Sequence, residues 1–172
     1  MKRYTAIVLM GVSGCGKSTV GVRLARKLHR EFLEGDTFHP PANVEKMSRG
    51  IPLDDADRLP WLKAIAAAID DARRDGRQVV VTCSALKRSY RAILAGSHDD
   101  VAFVYLKGGK ELIAERLAAR VGHFMPPKLL DSQFAALEEP AADEASVMMA
   151  IEDTPDQIAD AIAAMAAAGA RA

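Results

Sequence analysis

Residues 6–28 read AIVLM, GVSGCGKS and TVGVRLARKL: an apolar run, an octet with three glycines and one lysine, and an apolar repeat. A continuous apolar run suits a strand covered on both faces of a parallel sheet. Val20, Leu24 and Leu28 recur every four residues, which places them on one helical face. The octet between them matches G-x-x-x-x-G-K-[ST] in full, with a strand before it and a helix behind it. Glycines there let successive backbone N–H groups turn inward as an anion nest, and the helix start adds partial positive charge. The reading is a phosphate loop formed by Gly11, Val12, Ser13, Gly14, Cys15, Gly16, Lys17, Ser18 and Thr19. Lys17 would reach the β- and γ-phosphates of ATP, and the Ser18 hydroxyl would serve Mg²⁺. Cys15 has two readings: a thiol activated by the helix start, or a small residue filling a variable position.

The chain has 172 residues, a usual size for one domain. Its 23 basic residues balance its 23 acidic ones, which argues against a global pull on nucleic acid or membrane. Two cysteines, Cys15 and Cys83, are too few for a disulfide framework and fit a reducing compartment. The start MKRYTAIVLMG has a basic head and an apolar run, but the run is too short for a secretory signal and ends in the glycine loop. No stretch approaches the roughly 20 apolar residues of a membrane span. The expected location is the cytoplasm.

Five runs read as buried strands: Ala6–Met10, Glu31–Glu34, Gln78–Cys83, Val101–Leu106 and Ser146–Ile151. EFLE is the weakest of them. Helical stripes lie between: Trp61, Leu62, Ile65 and Ile69 form one, and Leu112, Ile113 and Leu117 another. The tail from Pro155 to Ala168 opens on proline and continues alanine-rich, as a helix does. This alternation predicts an α/β protein of three layers: a five-stranded parallel sheet with right-handed crossovers and helices on both faces. Residues 1–172 form a single domain with two insertions, one over about 37–60 and one over about 121–140. Such insertions usually cap a site.

A phosphate loop names the nucleotide and leaves the reaction open. The D-x-x-G and N-K-x-D elements of a GTPase-like switch are missing from the sequence. A small-molecule kinase instead needs a pocket for an acceptor hydroxyl. Asp36, just after the second strand, is placed to orient that hydroxyl and take its proton late in transfer. No carboxylate follows the third strand, so Asp36 also has a reading as a water-mediated metal-shell ligand. His39 reads either as a hydrogen-bonding partner for a polyol or as a structural residue. The cations pair at helical spacing: Lys46 with Arg49, Lys87 with Arg91, and Arg116 with Arg120. Like charges so placed repel, which suggests anions to be bound. Glu45 stands four before Arg49, and Asp54 four before Arg58, so ordinary ion pairs compete with that reading. Cys83 reads as an inert buried thiol.

Together these segments resemble the gluconate kinase (thermoresistant gluconokinase) family of P-loop kinases. The matching pieces are LMGVSGCGKS, FLEGDTFHPPANVEKMSRGIPLDDADRLPWL, CSALKRSYR, VYLKG and RLAARVGHFMPPKLLDSQFAALEEP, spanning about residues 6–153. The resemblance implies ATP-dependent phosphorylation of D-gluconate at its 6-hydroxyl, a nucleoside-monophosphate-kinase-like fold with a helical lid, and a homodimer. It implies substrate contacts from Asp36, His39, Lys46, Arg49, Arg58, Lys87, Arg91 and His123. Lys17, Asp36, Arg116 and Arg120 would be catalytic, the arginines arriving with the lid; Gly122 and Pro126–Pro127 read either as its hinge or as part of a rigid loop. Composition and spacing by themselves do not choose gluconate over another sugar acid or shikimate. A nucleotide-binding regulatory module without transfer is the rival from another class.

Overall fold

Five parallel strands lie in the order β2-β3-β1-β4-β5. They are β1 (Ala6–Met10), β2 (Glu31–Glu34), β3 (Val79–Thr82), β4 (Val101–Lys107) and β5 (Ser146–Ala150). The structure is a computed structural model and describes residues 4–120 and 126–169. Each observed strand ends within a residue of the run read from the sequence. At the centre, β1 pairs with β3 from Ala6–Val79 onward and with β4 from Ala6–Val101 onward. Every residue of β1 and β3 is buried, as their unbroken apolar character requires.

Seven α-helices complete the described fold: α1 (Lys17–Leu28), α2 (Pro41–Ser48), α3 (Asp55–Arg74), α4 (Arg88–Ala95), α5 (Lys110–Ala118), α6 (Pro127–Ala136) and α7 (Pro155–Gly169). A right-handed crossover from β1 out to β2 puts α1 on one face. The crossovers β2 to β3 and β3 to β4 run the other way and put α3 and α4 on the opposite face. Contacts agree, since α1 packs with α7 and α3 with α4. The three expected layers are therefore present. The stripe Trp61, Leu62, Ile65 and Ile69 of α3 is wholly interior. Helix α7 begins with a reciprocal cap in which Thr154 and Gln157 satisfy each other's backbone N–H. It is tied to α1 by Arg23–Asp156 at 3.2 Å and Lys27–Asp160 at 2.6 Å.

The two edge strands depart from the expectation: no residue of β2 is buried and Glu31 is exposed. Ser146–Ile151 reads as buried, yet β5 is the sheet's other edge and Val147 and Met148 are 40% and 60% exposed. Apolar composition marks a strand, but β2 has only β3 beside it and β5 only β4, so each keeps an open edge where residues meet solvent.

The strand order also makes the crevice. β1 and β3 are neighbours, but the chain leaves them for helices on opposite faces. A gap opens at their carboxyl ends, the usual ligand position in open α/β sheets.

Candidate active site

The octet after β1 adopts the loop its glycines allow. Gly11, Gly14 and Gly16 have φ of 140°, 85° and 97°, in the region that costs other residues. Gly11 N–H donates to Ser84 O at 3.1 Å, binding the loop to the chain after β3. Gly16 caps α1 without a side-chain acceptor, and the first turn holds no acidic residue. The helix's partial positive charge therefore faces the loop uncompensated. Lys17 Nζ donates to Gly11 O and Val12 O, each at 3.0 Å, folded back over the loop. Ser18 is exposed. Cys15 is buried, and a Cβ at Gly11 would stand 2.8 Å from its Sγ. It fills space, in agreement with the second of its two readings.

Across the crevice, the end of β2 is pressed onto β3. Gly35 N–H donates to Thr82 Oγ1 at 3.0 Å, and that hydroxyl donates in turn to the Glu34 carboxylate. A Cβ on Gly35 would lie 1.8 Å from Thr82 O, so no side chain fits. Trp61 Nε1–H donates to Gly35 O at 2.8 Å and holds the same turn from the α3 side. The next residue, Asp36, is exposed, and its carboxylate makes no hydrogen bond or ion pair among the described residues. A rigid anchor thus presents a free carboxylate to the crevice.

His39 stacks on Trp61 with ring centroids 4.1 Å apart and planes 13° from parallel. Its Nδ1 meets Asn43 Nδ2 at 3.2 Å. The same Asn43 nitrogen donates to Asp57 O at 2.8 Å, which fixes it as the amide donor. His39 Nδ1 must then accept, so the neutral ring carries its proton on Nε2. Burial lowers the His39 pKa, with Asp36 opposing and Arg58 assisting, and this favours the neutral ring. Histidine here offers one directed N–H donor, suited to a hydroxyl oxygen.

The expected cations divide. Arg58 and Lys87 flank Tyr90, each with its charge 5.6 Å from the ring centroid. Arg58 Nη1 donates to the Tyr90 hydroxyl at 3.3 Å, Tyr90 donates to Asp55, and Lys87 pairs with Asp55 at 2.9 Å. Lys46 grips both oxygens of Asp57 at 2.7 and 2.8 Å. Asp57 simultaneously closes the capping box of α3 with Asp54, so Lys46 ties α2 to α3. Arg49 caps α2 and lies exposed, 3.9 Å from Glu45. Arg116 Nη2 donates to Ile151 O at 2.6 Å, beyond the end of β5. Arg120 is exposed just past the end of α5, and His123 and Gly122 lie outside the described residues.

Arg91 corrects the sequence expectation of a substrate contact. It is 1% exposed, and its guanidinium binds Glu144 through Nε at 2.6 Å and Nη2 at 2.9 Å. Nη1 donates to Ala85 O at 3.0 Å. Arg91 holds the turn after β3, where Ala85 has φ of 44°, against residue 144. The spacing of Lys87 and Arg91 does not report that one faces out and the other in.

Cys83, the residue after β3, is a free and buried thiol. Burial pushes its thiol up to about 12, Lys17 and Arg58 pull the other way, and Asp36 adds to the rise. Among the described residues no group of three His, Cys, Asp or Glu could hold a metal ion. A Mg²⁺ ion suits this site only as part of a phosphate complex leaning on Ser18. Trp61, Asn43, Asp57, Thr82 and Tyr90 were not legible as site residues. Only Asp57 carries a local signal, as the third residue after the helix cap Asp54.

A parallel sheet with an anion-binding loop after its first strand and an acceptor crevice beside it defines a P-loop kinase. A family profile described as "AAA domain" matches residues 7–140. The thermoresistant gluconokinase of Escherichia coli K12 is 47% identical over 148 residues, covering 86% of this chain and 85% of that one. The gluconokinase of Gluconobacter oxydans is 49% identical over 152 residues, 88% of this chain and 85% of that one. The crystal structure of a gluconokinase from Sinorhizobium meliloti 1021 superposes with a TM-score of 0.88 at 44% identity, covering 98% of this chain and 95% of that one. The chain belongs to the gluconokinase family.

Proposed function

We propose that the protein transfers the γ-phosphoryl group of ATP to the 6-hydroxyl of D-gluconate, giving 6-phosphogluconate and ADP. The observation that carries this reading is that the phosphate loop and the turn bearing the exposed Asp36 are both fastened to the end of β3, by Gly11 N–H to Ser84 O at 3.1 Å and Gly35 N–H to Thr82 Oγ1 at 3.0 Å. Family membership supplies the acceptor's identity, and the site chemistry suits it. Asp36 orients the hydroxyl and accepts its proton as the oxygen–phosphorus bond forms and the bond to ADP breaks. The His39 Nε2–H donates to a hydroxyl of the polyol. Arg58, which has no carboxylate partner among the described residues, gives the acid's carboxylate a cation, and Lys87 joins it only by releasing Asp55. Lys17 leaves Gly11 O and Val12 O for the phosphate oxygens, where it stabilises charge in transfer. Mg²⁺ on Ser18 would neutralise phosphate charge.

Residues 37–60 are the acceptor-binding insertion, and residues 121–140, which include α6, act as a lid that excludes water and so suppresses ATP hydrolysis. Arg116 and Arg120 join the phosphates only if α5 shifts and Arg116 gives up Ile151 O. The protein is read as a cytoplasmic homodimer. Both cysteines are free, and no helix among the described residues is long and apolar enough to cross a membrane. The exposed Val147 and Met148 edge of β5 is a surface a second copy would cover.

ADP release measured with and without gluconate tests the reaction. Gluconate should stimulate release strongly, shikimate and other sugar acids weakly, and Asp36→Asn should lower the stimulated rate at least about a hundredfold. Nucleotide binding with no acceptor-dependent release would make the protein a regulatory module. Near-normal turnover by Asp36→Asn would remove both roles given to that residue.

A further inference from the structure

Helix α6 touches the phosphate loop through one side chain. Gln133 Oε1 accepts the backbone N–H of Ser13 at 2.7 Å, and Gln133 Nε2 donates to Ser13 Oγ at 3.1 Å. The two bonds close a ring between residues 120 apart in sequence. The carboxamide's orientation follows, because only its oxygen can accept from a backbone N–H. Ser13 is the third residue of the octet, three ahead of the helix cap Gly16. Later amides of such a loop, at the start of α1, cradle the α- and β-phosphates. The Ser13 amide stands apart from these, on the side that faces α6. A neutral carboxamide oxygen therefore holds a backbone donor of the phosphate loop.

The segment after α6 is fixed elsewhere. Glu138 N–H donates to Leu86 O at 2.7 Å, its carboxylate accepts Arg88 N–H at 2.7 Å, and Glu144 is held by Arg91. With its C-terminal end fastened beside α4, α6 meets the phosphate loop at a position that the Gln133–Ser13 ring sets.

We propose that Gln133 is a nucleotide-sensing residue for the terminal phosphate. The Gln133 carbonyl oxygen sits on the Ser13 N–H; when a triphosphate binds, a γ-phosphate oxygen takes that place and the Gln133 NH₂ group donates to the same phosphate. Helix α6 thereby reads triphosphate against diphosphate, and the phosphate-loop reading of residues 11–19 underlies this assignment.

Gln133→Glu is nearly isosteric and still accepts from Ser13 N–H, so the empty protein should keep its thermal midpoint within about 3 °C. It places a negative charge where the γ-phosphate arrives. Calorimetric titration without Mg²⁺, so that no ion masks that charge, should show the β,γ-imido analogue of ATP bound at least about tenfold more weakly than by wild type. ADP should change by less than about threefold. If Gln133→Glu does not fold, Gln133→Ala replaces it and should narrow the preference for triphosphate over diphosphate by about threefold. Equal effects on both nucleotides, or none on either, would overturn the assignment. Loss of all binding by Lys17→Ala and gluconate-dependent ADP release by wild type are read separately. They test the loop and the reaction, so failure there is distinguishable from failure of the Gln133 assignment.

Discussion

Replacing Gly35 with alanine tests how the acceptor carboxylate is held. A Cβ there would stand 1.8 Å from Thr82 O, against an ordinary contact of about 3.4 Å, so β2 and β3 must part by more than an ångström at this point. The separation breaks the buried Gly35 N–Thr82 Oγ1 bond and loosens the Trp61 bond to Gly35 O. An unsatisfied buried donor costs about 1–3 kcal/mol and overpacking about 1–3 more, so the expected loss of stability is about 3–5 kcal/mol. Because Asp36 is the next residue, it moves with the turn, and a misplacement of about 1 Å costs on the order of a hundredfold in rate. Urea unfolding gives the first quantity. Gluconate-dependent ADP release, assayed well below the unfolding midpoint, gives the second. A variant within about 0.5 kcal/mol of wild type and of equal activity would refute the tight apposition of β2 on β3 and the rigid placement of Asp36 with it.

Arg91→Met should destabilise the protein by about 3–5 kcal/mol in urea, because Glu144 and the Ala85 carbonyl lose their partner in a buried setting. Adding Glu144→Leu should recover part of the loss, which a substrate-binding arginine would not do. Asp100 receives Arg73 at 2.8 and 2.7 Å and the Thr5 hydroxyl at 2.7 Å, and Arg73 chiefly draws its carboxyl down to about 2. A carboxyl lowered in the folded state contributes stability that is present above about pH 4 and lost as pH falls toward 2. After allowance for solvent screening this amounts to about 1 kcal/mol, and Asp100→Asn should flatten the acid limb of stability by that amount.

The phosphate loop was legible in the sequence because its signal is contiguous: apolar run, glycines at fixed spacing, lysine, then a helical repeat. Strand limits and the buried stripe of α3 were legible for the same reason, since periodicity is a property of neighbours along the chain. The order β2-β3-β1-β4-β5 was not, and with it went the edge position that leaves Met148 in solvent. Gly35 reads as an ordinary turn glycine until Thr82, 47 residues away, is set against it. Spacing did not reveal that Arg58 and Lys87, from separate segments, flank Tyr90, or that Asp55 holds Lys87. The cation pairs did not reveal that Asp57 holds Lys46, that Glu144 buries Arg91, or that Ile151 O takes Arg116. A charge's availability depends on which opposite group the fold brings within about 3 Å, and that is fixed only when distant segments meet. Local chemistry in the chain therefore determined the phosphate-loop motif and its place between β1 and α1, whereas long-range packing decided which charged side chains are held by partners and which stay exposed.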